Sequence, residues 1–133
     1  MLAVVDVVEE RYAVDPARVF LTGLSDGGTF TYLTALPNAE RFTGIAPVAA
    51  DFHAMMDPML RRKMGQNLPI LIVHGARDPI FPVRSIRSAY ELMSHLEYEV
   101  SYEELPDWGH AYPYSIHERL VLPWFESLAP LAG

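Results

Sequence analysis

The chain has no cysteine, which excludes disulfides and thiolate metal sites and leaves the compartment open. It has a single lysine, Lys63, and a net charge of −7. A nucleic-acid surface needs a basic stripe, so neither RNA nor DNA is an expected partner. No run reaches the roughly 18 apolar residues of a membrane-spanning helix, and Met1 to Tyr12 lacks a basic start followed by a leader-like apolar core. The chain therefore reads as soluble and not membrane-bound. Cytoplasmic location is the default expectation, unless an upstream segment carries a signal. There is no internal repeat, low-complexity run or Gly/Ser linker, and the eleven prolines are spread through turns. One domain over residues 1–133 is enough. A chain of this length buries roughly two thirds of its unfolded surface, and half of its residues are apolar.

What is present alternates. The pattern predicts a helix over 2–12, a strand over 18–23, a helix over 27–36, a strand over 44–50 and a helical stretch within 52–66. A strand over 69–75, a helix over 83–97, a strand over 98–104 and a helix over 114–128 follow. Strand and helix in alternation imply an α/β fold: a parallel sheet of about four strands, right-handed crossovers and helices on both faces. Pro47 conflicts with this pattern, because proline cannot donate a ladder hydrogen bond in an interior strand.

Gly23-Leu24-Ser25-Asp26-Gly27-Gly28 joins the strand-like run Arg18 to Thr22 to the helix-like run Thr29 to Leu36. A serine at such a corner has the G-x-S-x-G form of a nucleophile elbow. So sharp a turn leaves no room for side chains two residues before and two after the serine, which predicts glycine at both places. The helix that follows aims its free N–H groups and positive dipole end at the serine, favouring negative charge on a substrate oxygen. These features read as an acyl-transfer site. A Gly-rich turn bearing a solvated serine is the competing reading of the pentapeptide alone.

Two later segments bear on that choice. Leu68 to Val73 is an apolar strand-like run that ends in His74-Gly75-Ala76-Arg77-Asp78, so Asp78 stands at a strand's C-terminal edge. After the alternating run Glu99 to Leu105, the segment Pro106-Asp107-Trp108-Gly109-His110 sets His110 in a loop before the last helix. Asp51 is a rival acid, since it too follows a strand-like run, and Asp107 is a third candidate more plausibly solvated. His74 ends a buried strand and reads as a loop-holding or packing residue. His53, His95 and His117 fall in helix-like stretches and read as surface or packing residues.

The elbow, the acid turn and the histidine loop together resemble the C-terminal half of an α/β-hydrolase of the lidless carboxylesterase, dienelactone-hydrolase and polyhydroxyalkanoate-depolymerase-like kind. The resemblance covers essentially the whole chain, and Asp15-Pro16 before the nucleophile strand is similar to a recurrent turn of such esterases. The order Ser, Asp, His is that of the family. The resemblance implies Ser25 as nucleophile, Asp78 as acid, His110 as base and the Asp26 N–H as one oxyanion donor. It implies no metal and no organic cofactor. The family's second donor comes from a loop after the third strand, often His-Gly-Gly-rich. No Gly-Gly pair precedes the elbow, so the sequence is expected to begin in mid-fold, without the family's N-terminal strands.

In that alignment the nucleophile strand becomes an edge, with Val19 and Leu21 nearby. An unpaired apolar edge invites another chain, so a homodimer or higher oligomer built across it is expected. The insert from Asp51 to Asn67 is too short for a lid, which leaves the site open to small esters. Met55, Met56, Met59, Leu60 and Met64 recur there at helical spacing, a pattern of core packing more than of an acyl groove. Trp108, Tyr112 and Tyr114 flank His110 and either wall the cleft or anchor the loop. The function expected is a serine esterase with an acyl-enzyme intermediate. The competing expectation is a hydrolase-like fragment that binds a ligand or partner and turns over little.

Overall fold

The computed structural model describes residues 1–52, 54–112 and 115–131. Helix α1 (Leu2–Arg11) precedes strand β1 (Phe20–Leu24), helix α2 (Asp26–Ala35) and a 3-10 segment, Leu36–Arg41. Strand β2 (Gly44–Val48), helix α3 (Met56–Arg61), strand β3 (Ile70–Gly75), helix α4 (Val83–His95) and strand β4 (Val100–Leu105) follow. The chain closes with a π-helical segment, His117–Val121, that runs into helix α5 (Leu122–Ser127). The four strands are parallel in the order β1-β2-β3-β4. Chain order and spatial order coincide, so each crossover links neighbouring strands and all strand C-termini lie at one end of the sheet.

The two central strands are buried on both faces, which is why β2 and β3 read as continuous apolar runs, whereas β4 alternates partly buried and exposed positions. Ile45, Ile70 and Ile72 face one side and pack with Tyr32, Leu60, Ile86, Ala89 and Met93. Ala46, Val48, Leu71 and Val73 face the other and pack with Ile116, Val121 and Phe125. The Phe125 ring stacks on Phe20 with centroids 4.4 Å apart. Helix α1 buries no residue fully and leaves Val4, Val7, Val8 and Tyr12 exposed. Its anchors are Leu2, against the first cluster, and an Asp6–Arg41 ion pair at 2.6 Å. The methionine-rich insert behaves mainly as core: Met56 and Leu60 are fully buried, Met59 and Met64 pack at the margin, and Met55 alone of the five is exposed.

Two details depart from the sequence expectation. Pro47 does lie in an interior strand, opposite Gly23 of β1. Ile45 donates to the Pro69 carbonyl at 3.0 Å and Ala49 to the Val73 carbonyl at 2.9 Å, so the N–H that proline lacks belongs between them, on the β3 side. The ladder gives up one bond and keeps its register, Ile45 opposite Ile70 and Val48 opposite Val73. The last helix is also not uniform. Pro123 in the first turn of α5 has no N–H to return to the turn before it. The chain widens there, and Leu122 donates to the His117 carbonyl five residues back.

At the corner between β1 and α2, Ser25 has φ 58° and ψ −119°. That left-handed conformation is costly for a residue with a side chain, about 1–3 kcal/mol. It is held from both sides: the Ser25 N–H donates to the Val48 carbonyl at 2.8 Å, while its own carbonyl accepts from Gly28 and Thr29 at 2.9 and 3.1 Å. The close approach behind it falls at Gly23, where a Cβ would collide with the Gly27 carbonyl group. It does not fall at Gly27, contrary to the expectation from the motif. A Cβ there meets nothing within 4 Å, because α2 turns that position to solvent; Gly28 instead would press on the Ala50 methyl at 2.6 Å. Gly23→Ala should therefore cost at least about 2 kcal/mol in urea unfolding, whereas Gly27→Ala should be neutral or stabilise by up to about 1 kcal/mol.

Candidate active site

Three strand ends supply three side chains. Ser25 stands on the β1–α2 corner, Asp78 in the turn after β3 and His110 in the loop after β4. The Ser25 hydroxyl lies 2.9 Å from His110 Nε2. His110 Nδ1 lies 2.7 Å from Asp78 Oδ2. An ionised carboxylate only accepts, so Nδ1 carries the imidazole proton and Nε2 is left as the acceptor for the serine hydroxyl. The structure brings the three residues into one hydrogen-bonded line.

The rival acids lie elsewhere. The Asp51 carbonyl accepts from the Thr29 hydroxyl at 3.3 Å, and the Asp107 carboxylate, highly exposed, is 3.9 Å from Arg77. His95 is exposed at the end of α4, and His117 begins the π-helical segment. His53 and Tyr114 lie outside the described residues.

The Asp78 side chain is fully buried, and its two oxygens are used separately. Oδ2 faces His110, while Oδ1 accepts from the Ile80 and Phe81 N–H groups at 2.8 and 2.9 Å. Burial works against its charge, but the bonds from His110 and from the Phe81 and Ile80 amides outweigh it. The carboxyl is held below its ordinary value. Phe81 also turns its ring edge-on to the His110 imidazole, with centroids 5.4 Å apart. Phe81, between Ile80 and Pro82, carries no polar signature by which sequence reasoning could find it. Its contribution is through its amide and its T-shaped ring contact.

The acid turn and the histidine loop are tied together before His110 is reached. The Arg77 N–H donates to the Trp108 carbonyl at 2.9 Å, and the Tyr112 hydroxyl accepts from the Gly75 N–H at 2.7 Å. A side chain at Gly75 would run into the Trp108 and Gly109 backbone, so glycine there sets how closely the loop approaches. Trp108 and Tyr112 pack against each other with centroids 5.6 Å apart, on the apolar cluster beneath the sheet. They anchor the loop, which decides between the two sequence readings of these aromatics.

At the serine, the N-terminus of α2 is open. Gly28 and Thr29 donate to the Ser25 carbonyl, while the Asp26 N–H has no backbone acceptor among the described residues. Asp26 begins the helix immediately after the serine, where an N–H group and the dipole end favour an anion. No cluster of His, Cys, Asp or Glu suited to a metal ion occurs among the described residues.

The depressed Asp78 carboxyl makes a signed prediction. A group whose folded value lies below its unfolded value of about 3.9 stabilises the fold fully above that pH and loses the contribution as pH falls through the depressed value. The urea midpoint of the native chain should therefore fall more steeply than that of Asp78→Asn below about pH 4, with parallel behaviour between pH 6 and 8. Equal slopes in acid would contradict the assignment.

Comparison with known proteins accords with this geometry. The model of the phospholipase/carboxylesterase family matches residues 3–120. Acyl-protein thioesterase 1 of Gibberella zeae is 29% identical over 102 residues, which cover 72% of this chain and 42% of the thioesterase. Feruloyl esterase C of Emericella nidulans is 32% identical over 83 residues, 61% of this chain and 28% of the esterase. The crystal structure of S-formylglutathione hydrolase from Staphylococcus aureus superposes with a TM-score of 0.79 at 21% identity, over 93% of this chain and 58% of that one. The chain thus spans less than half the length of these two curated relatives. The family match begins in α1 and ends inside the π-helical segment, taking in all four strands and the three loops that meet at Ser25. The chain belongs to the phospholipase/carboxylesterase family of the α/β-hydrolases.

Proposed function

We propose that this chain is a serine carboxylesterase acting on small or short-acyl esters through an acyl-enzyme intermediate. The observation that carries the reading is the unbroken line Ser25–His110–Asp78, with both bonds at 2.9 Å or less. A serine hydroxyl is a weak nucleophile at neutral pH. His110 Nε2 takes its proton as Oγ attacks the ester carbonyl carbon, and Asp78 orients the imidazole and stabilises its cation. The carbonyl oxygen becomes an oxyanion beside the Asp26 N–H and the α2 N-terminus. Collapse breaks the bond to the alkoxy group, which leaves as the alcohol with the proton from His110. Water, deprotonated by the same nitrogen, then attacks the acyl-serine and frees the acid. No step calls for a metal or organic cofactor.

A second reading is a weakly active or inactive hydrolase-like domain that binds a ligand or a partner chain. The observation in its favour is that the oxyanion side, among the described residues, is supplied by the Asp26 N–H at the start of α2. Loss of one oxyanion donor costs about 10²–10³ in turnover where it has been measured. The β1 edge bears on the same point. Among the described residues β1 pairs with β2 alone, Leu24 is half exposed, and an apolar hollow of about 260 Å³ opens between Thr22 of β1 and Val121, Leu122 and Phe125. We propose that a second copy of the chain covers this edge.

Hydrolysis of p-nitrophenyl acetate and butyrate separates the two readings. Ser25→Ala and His110→Ala should each lower kcat by at least about 10⁴-fold, and Asp78→Asn by about 10²- to 10⁴-fold. A serine-directed phosphonate should add one equivalent at Ser25. Turnover unchanged in Ser25→Ala would remove the nucleophile assignment, and a native chain no faster than Ser25→Ala would favour the binding domain. Light scattering at micromolar concentration should give the mass of a dimer or larger, and a monodisperse monomer would refute the edge-paired assembly.

A further inference from the structure

His74 is fully buried at the end of β3 and has no place in the proton path described above. Its Nε2 is 2.8 Å from the Phe81 carbonyl oxygen and 3.4 Å from Asp78 Oδ2. Both neighbours are acceptors, so Nε2 carries a proton, and the Nε2–H tautomer leaves Nδ1 as the ring's acceptor. The other nitrogen, Nδ1, is buried with no hydrogen-bond partner among the described residues. An unpaired buried acceptor is unfavourable, and a leucine of similar size would carry no such penalty. The compensation has to lie with Nε2.

What Nε2 holds is the frame of the acid. Phe81 gives its N–H to Asp78 Oδ1, its carbonyl to His74 and a T-shaped ring contact to His110. One residue thus connects three parts of the site, and its peptide planes turn as units. If its carbonyl loses the His74 donor, the chain from Asp78 to Phe81 is freed to rotate. Both amides on Oδ1 then lose their aim, and Oδ2 swings away from His110 Nδ1. The longer contact from Nε2 to Oδ2 restrains the same oxygen from the opposite side.

The geometry points to His74 as a positioning residue for the acid: its Nε2–H clamps the Phe81 carbonyl and thereby aims the Asp78 carboxylate at His110. The inference rests on the serine-hydrolase reading for its kinetic consequence but not for its structural one. It adds a fourth side chain whose effect falls on turnover while ester binding is left alone, since His74 is buried beneath the turn and touches no space open to substrate.

The test begins with the native chain. Nitrogen-15 NMR of the histidine rings should show His74 as the Nε2–H tautomer with Nδ1 unprotonated; the opposite tautomer would overturn the proposal without any variant. His74→Gln carries an amide N–H at about the reach of Nε2, whereas His74→Asn ends near the Nδ1 position and His74→Leu has no donor. The Asn and Leu proteins, shown to be folded by circular dichroism, should lose about tenfold to 10²-fold in kcat on p-nitrophenyl butyrate with KM within about twofold. The Gln protein should recover most of that loss. The downfield proton resonance of His110 Nδ1–H should persist in the native and Gln proteins and move upfield or vanish in the other two. If Leu fails to fold, Gln against Asn decides the matter. Equal kcat and an unmoved His110 resonance in folded Asn or Leu proteins would overturn the proposal, as would a Gln protein as impaired as Asn. A native chain without serine-dependent turnover would defeat the esterase reading alone, because the tautomer and the His110 resonance are read without any substrate.

Discussion

The bond from the Ser25 N–H to the Val48 carbonyl is the contact on which the site turns. It is the last rung of the parallel pairing between β1 and β2, and it comes one residue after β1 ends at Leu24. A strand that simply stopped would let the serine relax out of its left-handed conformation. Here the rung fixes the residue's N–H while the first turn of α2 fixes its carbonyl, and the strain is confined between two sets of hydrogen bonds. The buried β2 strand is thus more than core. It supplies the acceptor that holds the serine upright, and it does so although Pro47 interrupts its ladder toward β3 one residue earlier.

The acid and the histidine depend on a different and more local device. Gly75 brings the Trp108–Gly109 backbone onto the end of β3, and two bonds, from Arg77 to Trp108 and from Gly75 to the Tyr112 hydroxyl, lock it there. Adjacent strands β3 and β4 therefore carry Asp78 and His110 as one unit. Ser25 belongs to a second unit, built from β1, β2 and α2. The register of β2 on β3 is what brings the two together, so the 2.9 Å contact between Ser25 and His110 reports on the sheet as a whole.

Much of this was legible in the sequence because its signals are local. The elbow glycine Gly23, the apolar run into Asp78 and the loop around His110 are each set by neighbours a few residues away, and each strand was expected within a few residues of where it lies. What could not be read depends on distant contacts. Whether Gly27 or Gly28 is the crowded position follows from where Ala50 sits, far along the chain. The residues alone leave Asp51 beside Asp78, and the family resemblance implies Asp78; the physical reason lies in distant contacts, because the histidine loop docks on β3 rather than β2. The π-helical turn before Pro123 had a sequence cause, but one proline in a helix's first turn usually passes without widening the turn before it. His74 reads from the sequence as a loop-holding or packing residue, but its partner Phe81 leaves no pattern in residue type, because Phe81 acts through its backbone N–H and carbonyl.

The proton path and the anion site differ in how much of the fold they need. Ser25, His110, Asp78, Phe81 and His74 are joined by contacts wholly within the described residues, and the central strands β2 and β3 between them are buried on both faces. On the proposed reading the oxyanion side draws, among the described residues, on the Asp26 N–H and the dipole of a ten-residue helix that follows the half-exposed Leu24. A proton relay works by geometry between groups already in contact, whereas an anion is stabilised by every donor converging on it. On the proposed esterase reading, the relay depends on the register that brings Ser25 to His110, and the anion site on the donors that converge at the α2 N-terminus beside the end of β1. Covering the β1 edge would bury Leu24 and dry the space beside the serine, so assembly and oxyanion stabilisation would act through the same surface.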